Sequence, residues 1–243
     1  MKHGHFIWAD LSTYQLGRAQ KDYARLFGWS FVGAKDYRFA MLDGAPVAAV
    51  FKMPKRLAKI NMPSFWMSYI KVDDLDASVA QAREFENVII EVKPEPFDET
   101  ARIALVRDPS GAGFTLYEGP DIANQSNVKS AGVVVERYHH VPDISLIEPF
   151  YNRLFGWSFH QTEYTHWPVF EVRHPDGNTI AKAEQVPEEI RGKFRYWIPS
   201  FSIPSKRKFL DALAHARGMV HTDLGERRFL VADRQQAHFM IQF

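Results

Sequence analysis

Residues that could perform acid–base or metal chemistry occur in two extended segments of the second half of the chain. Glu136, Tyr138 and His140 alternate with other residues in an extended segment, and this alternation places all three on one face of a strand. His238 and Met240 share a face near the C-terminus in the same way. Carboxylate and imidazole groups can hold a divalent cation or move a proton. Glu136, His140 and His238 are therefore candidate catalytic residues, with Tyr138 and Met240 as candidate ligand contacts.

Composition excludes several other chemistries. The 243 residues contain no cysteine, which removes thiolate zinc sites, iron–sulfur clusters, disulfides and cysteine nucleophiles. The formal charge of +1, from 30 basic and 29 acidic side chains, favours neither nucleic acid nor an anionic membrane as a partner. The apolar stretch 45–51 is too short to span a bilayer, and the N-terminus lacks a secretory apolar core. The sequence therefore predicts a soluble, cytoplasmic protein.

A long internal repeat organises these residues. The sequence RLFGWSF begins at Arg25 and again at Arg153, 128 residues further along. Asp108 recurs as Asp233 at a slightly shorter spacing, with several of its neighbours. A match of this length indicates duplication of a structural unit. We therefore predict an N-terminal domain over 1–120, a polar linker over 121–130 and a C-terminal domain over 131–243.

Each predicted domain contains two modules of the order βαβββ. Helical spacing of apolar residues precedes Gly28 and Gly156, where glycine suits a left-handed cap. The residues from Asp108 to Gly111 fit a type I turn, and Ser205 is typical of a helix N-cap. The Phe and Trp of each LFGW sequence are expected to pack in the core. The fold class is α+β.

These motifs resemble the vicinal oxygen chelate superfamily, which includes glyoxalases, bleomycin resistance proteins and ring-cleaving dioxygenases. The resemblance rests on FIWADLST, DYARLFGW, SYIKVDDLDASVAQA, DPSGAGFTLYE and FYNRLFGWSF, and it spans nearly the whole chain. The tandem arrangement is most similar to a subgroup typified by a mycobacterial antigen. It implies two tandem domains, each a cupped mixed sheet with helices outside.

The resemblance also implies where metal ligands would lie. In the first domain the ligand positions fall on Trp8, Met67 and Thr115, and in the second domain on Glu136, Ile198 and Met240. Indole and thioether groups cannot replace imidazole for a hard divalent cation, so no metal cofactor is expected in the first domain. Two alternatives remain open: a divalent metal held by Glu136, His140 and His238, and a first-strand ligand at His5 in place of Trp8.

Two functional hypotheses follow. The first is a metal-free binder of a small aromatic or apolar molecule. Its lining residues would be Trp8, Asp10, Phe39, Met41, Met67, Tyr69 and Thr115. The alternative is a lyase, isomerase or dioxygenase in the C-terminal domain, in which Glu136, His140 and His238 hold a metal or Glu136 acts alone as a general base. We expect a monomer or weak homodimer. The segment that contains His160, Tyr164, His166, Trp167 and His174 would lie at the rim of the second cup, and its histidines are expected at the surface.

Overall fold

The computed structural model describes residues 1–122, 131–162, 167–191, 195–225 and 227–243. The strands are β1 (Phe6–Thr13), β2 (Ser30–Val32), β3 (Tyr37–Leu42), β4 (Ala45–Lys52), β5 (Phe65–Lys71), β6 (Ile89–Pro96), β7 (Arg102–Arg107), β8 (Gly113–Glu118), β9 (Val134–Val141), β10 (Ser158–Gln161), β11 (Val169–Arg173), β12 (Thr179–Gln185), β13 (Ile198–Ser202), β14 (Met219–Gly225), β15 (Arg228–Ala232) and β16 (His238–Gln242). The helices are α1 (Leu16–Phe27), α2 (Lys55–Lys59), α3 (Leu75–Ala82), α4 (Glu148–Phe155), α5 (Glu188–Arg191) and α6 (Lys206–His215).

The order of these elements gives four βαβββ modules, as the repeat predicts. The modules begin at β1, β5, β9 and β13, and each contains one of the longer helices α1, α3, α4 and α6. The short helices α2 and α5 follow the first and third modules and were not predicted. The α+β fold class is confirmed.

The strands form two eight-stranded mixed sheets. Their orders are β2-β3-β4-β1-β5-β8-β7-β6 and β10-β11-β12-β9-β13-β16-β15-β14. In each module the first strand pairs with its last strand in parallel: β1 with β4, β5 with β8, β9 with β12 and β13 with β16. The other pairs within a module are antiparallel. The repeat in the sequence is therefore a repeat in strand pairing.

The contacts between residues divide the chain into two compact units. Unit 1 comprises Met1–Ile7, Ser68–Ile122 and Glu136–Trp197, and unit 2 comprises Trp8–Met67, Ala123–Val135 and Ile198–Phe243. Helix α3 contacts α4 within unit 1, and α1 contacts α6 within unit 2. The linker predicted over 121–130 falls mostly on residues 123–130, which lie outside the described part of the chain. The division of the sequence at that point stays a prediction.

The LFGW sequences are core elements, as predicted. Phe27 and Trp29 are buried in unit 2, and Phe155 and Trp157 are buried in unit 1. Each Trp donates a hydrogen bond from Nε1 to a backbone carbonyl, Trp29 to Gly132 and Trp157 to Gly4. The rings therefore fix the end of each helix against neighbouring backbone rather than contact a ligand.

Helix ends follow the sequence signals. Gly28 and Gly156 have φ of 74° and 67°, the left-handed cap conformation, and the Ser205 side chain accepts a hydrogen bond from the Lys208 N–H. The Gly111 N–H donates to the Asp108 carbonyl and closes the predicted turn.

No helix in the described part of the chain is both long enough and apolar enough to cross a membrane.

The two cap glycines give a matched pair for mutation. We expect Gly28→Ala to lower the free energy of unfolding by about 1–2 kcal/mol, because a Cβ is strained at this φ. Gly156→Ala should lower it by roughly 1 kcal/mol more, since its Cβ would lie 2.8 Å from Cγ of Pro175 whereas the Cβ at Gly28 meets open space. Urea unfolding of both variants measures the difference. Equal losses would contradict this account of the contact with Pro175.

A network of buried polar side chains lies in unit 1. The Asp108 Oδ2 atom is 2.6 Å from Nε2 of His139 and accepts a hydrogen bond from the Tyr151 hydroxyl at 2.9 Å. Trp197 donates to the same hydroxyl at 2.7 Å. All four side chains are fully buried. Burial alone would raise the pKa of Asp108, but the charge of His139 and the hydrogen bonds that Asp108 accepts outweigh it and hold that pKa below its usual value.

Unit 2 repeats this network with one change. Trp66 donates to the Tyr23 hydroxyl at 3.1 Å, and that hydroxyl donates to Asp233 at 3.3 Å. The residue equivalent to His139 is Leu11, at the 128-residue spacing of the repeat. Without a histidine at this position, burial raises the pKa of Asp233 to about 6, against backbone hydrogen bonds that lower it.

Candidate functional sites on the two sheets

An aromatic cluster with one carboxylate occupies strands β1, β3 and β4 in unit 2. We define the aromatic cluster as Trp8, Asp10, Tyr37, Phe39 and Phe51. Trp8 Nε1 donates to the Tyr37 hydroxyl at 3.1 Å, and that hydroxyl donates to Asp10 Oδ2 at 3.3 Å. The Tyr37 ring lies 5.3 Å from the Phe39 ring and stacks on Phe51 at 5.8 Å. The hydroxyl is thus fixed between Trp8 and Asp10 while the ring faces other aromatic side chains.

Burial divides this cluster into two layers. Trp8 is 0% exposed and Asp10 is 1% exposed, so neither offers surface to a ligand in this conformation. Tyr37, Phe39 and Phe51 are only half-buried. The structure therefore places the predicted residues Trp8 and Asp10 beneath a contact surface formed by the three rings.

Sequence reasoning missed Tyr37 and Phe51. Tyr37, Phe39 and Met41 alternate along β3, and the first of these was overlooked although the same period identified the other two. Phe51 depends on register, because it pairs with Tyr37 across β3 and β4. Met41 is half-buried and Met67 is 7% exposed.

Tyr69 and Thr115 lie in unit 1 and pair directly across β5 and β8. Both are buried, and the Thr115 hydroxyl has no hydrogen-bond partner among the residues that the structure describes. The Tyr69 ring lies 6.2 Å from Phe97 and 6.5 Å from Tyr117. Burial, with the charges of Asp98 and Asp121, raises the pKa of Tyr117 to about 12. The hydroxyl of Tyr117 therefore stays protonated, and it donates to the Pro120 carbonyl.

An ionisable cluster occupies β9 and β12 of unit 1. Tyr138 donates from its hydroxyl to Glu136 Oε2 at 2.6 Å, and Lys182 Nζ lies 3.3 Å from Glu136 Oε1. Lys182 also lies over the Tyr138 ring, 5.9 Å from its centre. The Tyr138 side chain is fully buried, whereas the Glu136 side chain is 20% exposed. Both oxygens of Glu136 thus have a partner, and the carboxylate remains accessible to a small molecule.

His140 forms a second pair on the same two strands. Its Nε2 atom lies 3.4 Å from Oε2 of Glu184, which also accepts a hydrogen bond from Trp167 Nε1 at 3.2 Å. His140 and Glu184 are both buried. Sequence reasoning did not identify Lys182 or Glu184, since only the parallel register of β9 with β12 places them beside Glu136 and His140.

His238 lies in unit 2 on β16, where its ring contacts His221 at 5.1 Å. Burial and the nearby His221 lower the pKa of His238. Glu136 and His140 belong to unit 1 and have the partners described above. The catalytic set of Glu136, His140 and His238 stays a prediction, as does the ligand contact assigned to Met240, which is fully buried on β16.

The rim histidines have different surroundings. His160 is exposed, as expected, and Ser158 Oγ lies 2.8 Å from its Nε2. His174 is only 7% exposed, so its prediction as a surface residue is wrong, because its ring packs against His5 at 4.1 Å. Tyr164 and His166 lie outside the described residues.

The two sheets have diverged in chemistry at equivalent positions. Glu136, Tyr138 and His140 correspond through the 128-residue spacing to Trp8, Asp10 and Ser12. The registers of β1 with β4 and of β9 with β12 make Glu184 the counterpart of Phe51. At two of these positions the N-terminal sheet, formed by β1 to β8, has an aromatic ring where the C-terminal sheet, formed by β9 to β16, has a carboxylate: Trp8 corresponds to Glu136 and Phe51 to Glu184. Asp10 and Tyr138 are exchanged in the opposite sense.

The fold and the repeated modules define a class that comparison with known proteins identifies. A family model described as "Glyoxalase/Bleomycin resistance protein/Dioxygenase superfamily" matches residues 5–116. A Mycobacterium bovis protein is 31% identical to this chain over an alignment of 249 positions, which covers 96% of this chain and 92% of that protein. The chain belongs to the glyoxalase/bleomycin resistance protein/dioxygenase superfamily.

Proteins with several different names resemble this chain in sequence or in fold. The Mycobacterium bovis protein is named "Putative glyoxylase CFP32". The anthracycline biosynthesis protein DnrV of Streptomyces peucetius is 28% identical over an alignment of 125 positions, which covers 45% of each chain. An extradiol ring-cleaving dioxygenase from B. fuscum superposes with a TM-score of 0.63 at 14% identity, covering 100% of this chain and 72% of its own. An Mn(II)-bound glyoxalase from Novosphingobium aromaticivorans gives 0.59 at 10% identity, with coverage of 99% and 81%.

That glyoxalase is Mn(II)-bound, and the family resemblance implies positions in this chain at which a metal would be held. On the N-terminal sheet they hold Trp8, Met67 and Thr115, and Trp8 Nε1 is a donor already bound to Tyr37. An indole N–H, a thioether and a lone hydroxyl do not fit a divalent cation. On the C-terminal sheet the ligand positions hold Glu136, Ile198 and Met240, and the last two supply no hard ligand. The residues at both sets of positions do not fit the metal.

Proposed function

We propose that this protein binds a small aromatic molecule at the aromatic cluster without using a metal ion there. The observation that carries the proposal is the fixed Trp8–Tyr37–Asp10 chain beneath the half-buried rings of Tyr37, Phe39 and Phe51. Rings held in this way lose little freedom on binding, so stacking with a ligand is favoured. The names of similar proteins support an aromatic ligand, since one is an extradiol ring-cleaving dioxygenase and another is an anthracycline biosynthesis protein.

The Tyr37 hydroxyl adds specificity to this proposal. It donates its proton to Asp10, which is buried beneath it, so toward a ligand the hydroxyl oxygen can only accept a hydrogen bond. A ligand with a phenolic hydroxyl or an amine would therefore be preferred over one that carries only acceptors. The half-buried rings around Tyr37 would provide the apolar contact.

Replacement of Phe39 tests the site. We expect Phe39→Ala to weaken binding of 1-naphthol or a hydroxyanthraquinone by about tenfold or more, because the variant removes apolar contact worth roughly 1.5–3 kcal/mol. Isothermal titration calorimetry on chelator-treated protein measures the change. Phe31→Ala is the matched control, since Phe31 is also half-buried but contacts Trp29 instead of the aromatic cluster.

Two results would contradict this proposal. Binding of neither compound by the wild-type protein would remove the aromatic cluster as a site for this class of ligand. Equal weakening by Phe31→Ala and Phe39→Ala would show that the loss comes from general destabilisation.

A second candidate function is proton transfer by the ionisable cluster. The specific observation is Glu136, whose carboxylate remains partly exposed while Tyr138 and Lys182 hold both of its oxygens. A carboxylate positioned by two donors can abstract a proton next to a carbonyl group, and Lys182, whose side chain is partly exposed, can stabilise the negative charge that develops.

Proton exchange tests this second function. If Glu136 is a general base, the wild-type protein should catalyse exchange of the α-proton of 2-hydroxyketones in D₂O, and Glu136→Gln should slow it by about 100-fold or more. Proton NMR follows the exchange, and Glu148→Gln, a change on helix α4, serves as the control. Exchange at the wild-type rate in Glu136→Gln would exclude Glu136 as the base.

A further inference from the structure

A cluster of two histidines and an aspartate lies in unit 1, away from the aromatic and ionisable clusters. His5 precedes β1, while His174 and Asp176 belong to the turn between β11 and β12. His5 Nε2 lies 3.0 Å from Asp176 Oδ2, and His174 Nδ1 lies 3.0 Å from Asp176 Oδ1. One ligand atom from each residue falls within 4.8 Å of the others. Among the residues that the structure describes, this is the group of three potential metal ligands that comes together.

The hydrogen bond of His174 determines which of its nitrogens can bind a cation. Its Nε2 atom lies 2.8 Å from the backbone carbonyl of His3. A carbonyl oxygen only accepts hydrogen bonds, so Nε2 carries the proton and neutral His174 has its lone pair on Nδ1. That lone pair accepts a hydrogen bond from the Asp176 N–H at 3.1 Å, and Asp176 Oδ1 lies 3.0 Å from the same nitrogen. A cation between Nδ1 and Oδ1 would bind both acceptors in place of this N–H contact.

The same hydrogen bond is the usual support of a metal-bound histidine. Ligating histidines commonly donate their other ring N–H to a backbone carbonyl or carboxylate, which fixes the orientation of the ring. The turn that presents His174 is itself closed by hydrogen bonds from the His174 N–H to the Asn178 carbonyl and from the Gly177 N–H to the His174 carbonyl. Two of the three ligands therefore stand on rigid backbone.

The spacing suits a small transition-metal ion. Ligand atoms about 2.0–2.2 Å from a tetrahedral ion lie roughly 3.4 Å from each other. The two histidine nitrogens each lie 3.0 Å from a different oxygen of Asp176, and one ligand atom from each residue falls within 4.8 Å of the others, so small side-chain rotations would bring the three around one ion. Imidazole nitrogen favours Zn²⁺, Ni²⁺ or Cu²⁺ over Ca²⁺ or Mg²⁺. The three side chains are only partly exposed, at 22% for His5, 7% for His174 and 16% for Asp176.

The geometry points to a zinc-type divalent metal site formed by His5 Nε2, His174 Nδ1 and Asp176, with a water molecule as the fourth ligand. The metal links the segment before β1 to the turn between β11 and β12. Binding replaces two contacts: the Asp176 N–H donates to His174 Nδ1 at 3.1 Å, and Lys2 Nζ lies 3.8 Å from Asp176 Oδ2. Lys2 is 72% exposed, so its side chain can move into solvent. The site is independent of the proposed function.

Titration of tag-free, chelator-treated protein with Co²⁺ and Zn²⁺ tests this site. We expect one Co²⁺ per chain, with the visible absorption of a tetrahedral ion, and a rise in Tm of roughly 5–10 °C when Zn²⁺ is present at about 100 times its Kd. His5→Gln and Asp176→Asn should each weaken Co²⁺ binding by about 100-fold, and His160→Gln should leave it unchanged. Lys2→Ala should tighten binding, because it removes the competing cation.

Other outcomes would overturn the site. These are the absence of a stoichiometric Co²⁺ spectrum, or binding that survives in His5→Gln and Asp176→Asn. Binding lost in Glu136→Gln instead would place the metal at the ionisable cluster. His5→Gln is the main variant because its side chain is the most exposed of the three, and an unchanged metal-free Tm shows that the variant is folded.

Discussion

Asp108→Asn is expected to lower the free energy of unfolding by about 3–5 kcal/mol at pH 7.5, and Tm by roughly 6–15 °C. Asp108 Oδ2 is held by His139 and Tyr151, and Oδ1 accepts hydrogen bonds from both the backbone N–H and the hydroxyl of Ser110 and from the Ala112 N–H. An asparagine would either turn its NH₂ group toward these donors or leave His139 without a charged partner in a fully buried position. Urea unfolding measures the loss.

The pH dependence of this loss follows from the lowered pKa of Asp108. A carboxyl whose pKa is lower in the folded state contributes stability above its unfolded pKa, and this stability disappears as the pH falls through the folded value. The difference between the wild-type protein and Asp108→Asn should therefore be largest at neutral pH and should shrink in strong acid. A loss below 1 kcal/mol at pH 7.5 would contradict the proposed role of the pair with His139.

Asp233→Asn is expected to behave in the opposite way. The pKa of Asp233 is raised to about 6 from 3.8, so the folded protein binds this proton more tightly than the unfolded chain does. Stability is then lost as the pH rises from about 4 to 6, by roughly 3 kcal/mol for a shift of this size. Asn cannot ionise, so Asp233→Asn should gain about 3 kcal/mol relative to the wild-type protein between pH 4 and pH 7.5.

Thermal unfolding of the wild-type protein, Asp108→Asn and Asp233→Asn at about pH 2, pH 4 and pH 7.5 tests both expectations together. The two carboxylates occupy equivalent positions in the repeat, and each serves as the control for the other. Similar pH profiles for the two variants would show that the difference between Leu11 in unit 2 and His139 in unit 1 has no effect on the free energy of unfolding.

Most of the fold could be predicted because the sequence contains it twice. The exact RLFGWSF repeat, the cap glycines and the turn at Asp108 identified the modules and their order. Strands β6 and β14 were not located as separate elements, because both are largely exposed and lack an apolar face. The short helices α2 and α5 have too few residues to show a period.

The candidate sites could be predicted only along single strands. Period-two alternation identified Trp8 with Asp10, and Glu136 with Tyr138 and His140. Their partners lie on other strands, so Tyr37, Lys182 and Glu184 depend on register, which pattern alone does not supply. The cluster of His5, His174 and Asp176 joins residues about 170 positions apart, and no local signal in the sequence connects them.

Unit 2 is built from segments that are far apart in the sequence, and this has a consequence for protein synthesis. It combines Trp8–Met67 with Ile198–Phe243, so its first segment leaves the ribosome long before the last strands that complete it. At about 5–20 residues per second, the aromatic residues around Tyr23 wait for roughly ten seconds or more before Phe201 and Phe239 emerge. The nascent chain therefore exposes apolar surface throughout translation, and slowing of elongation or loss of holdase chaperones should reduce its yield more than that of a chain whose compact units are contiguous.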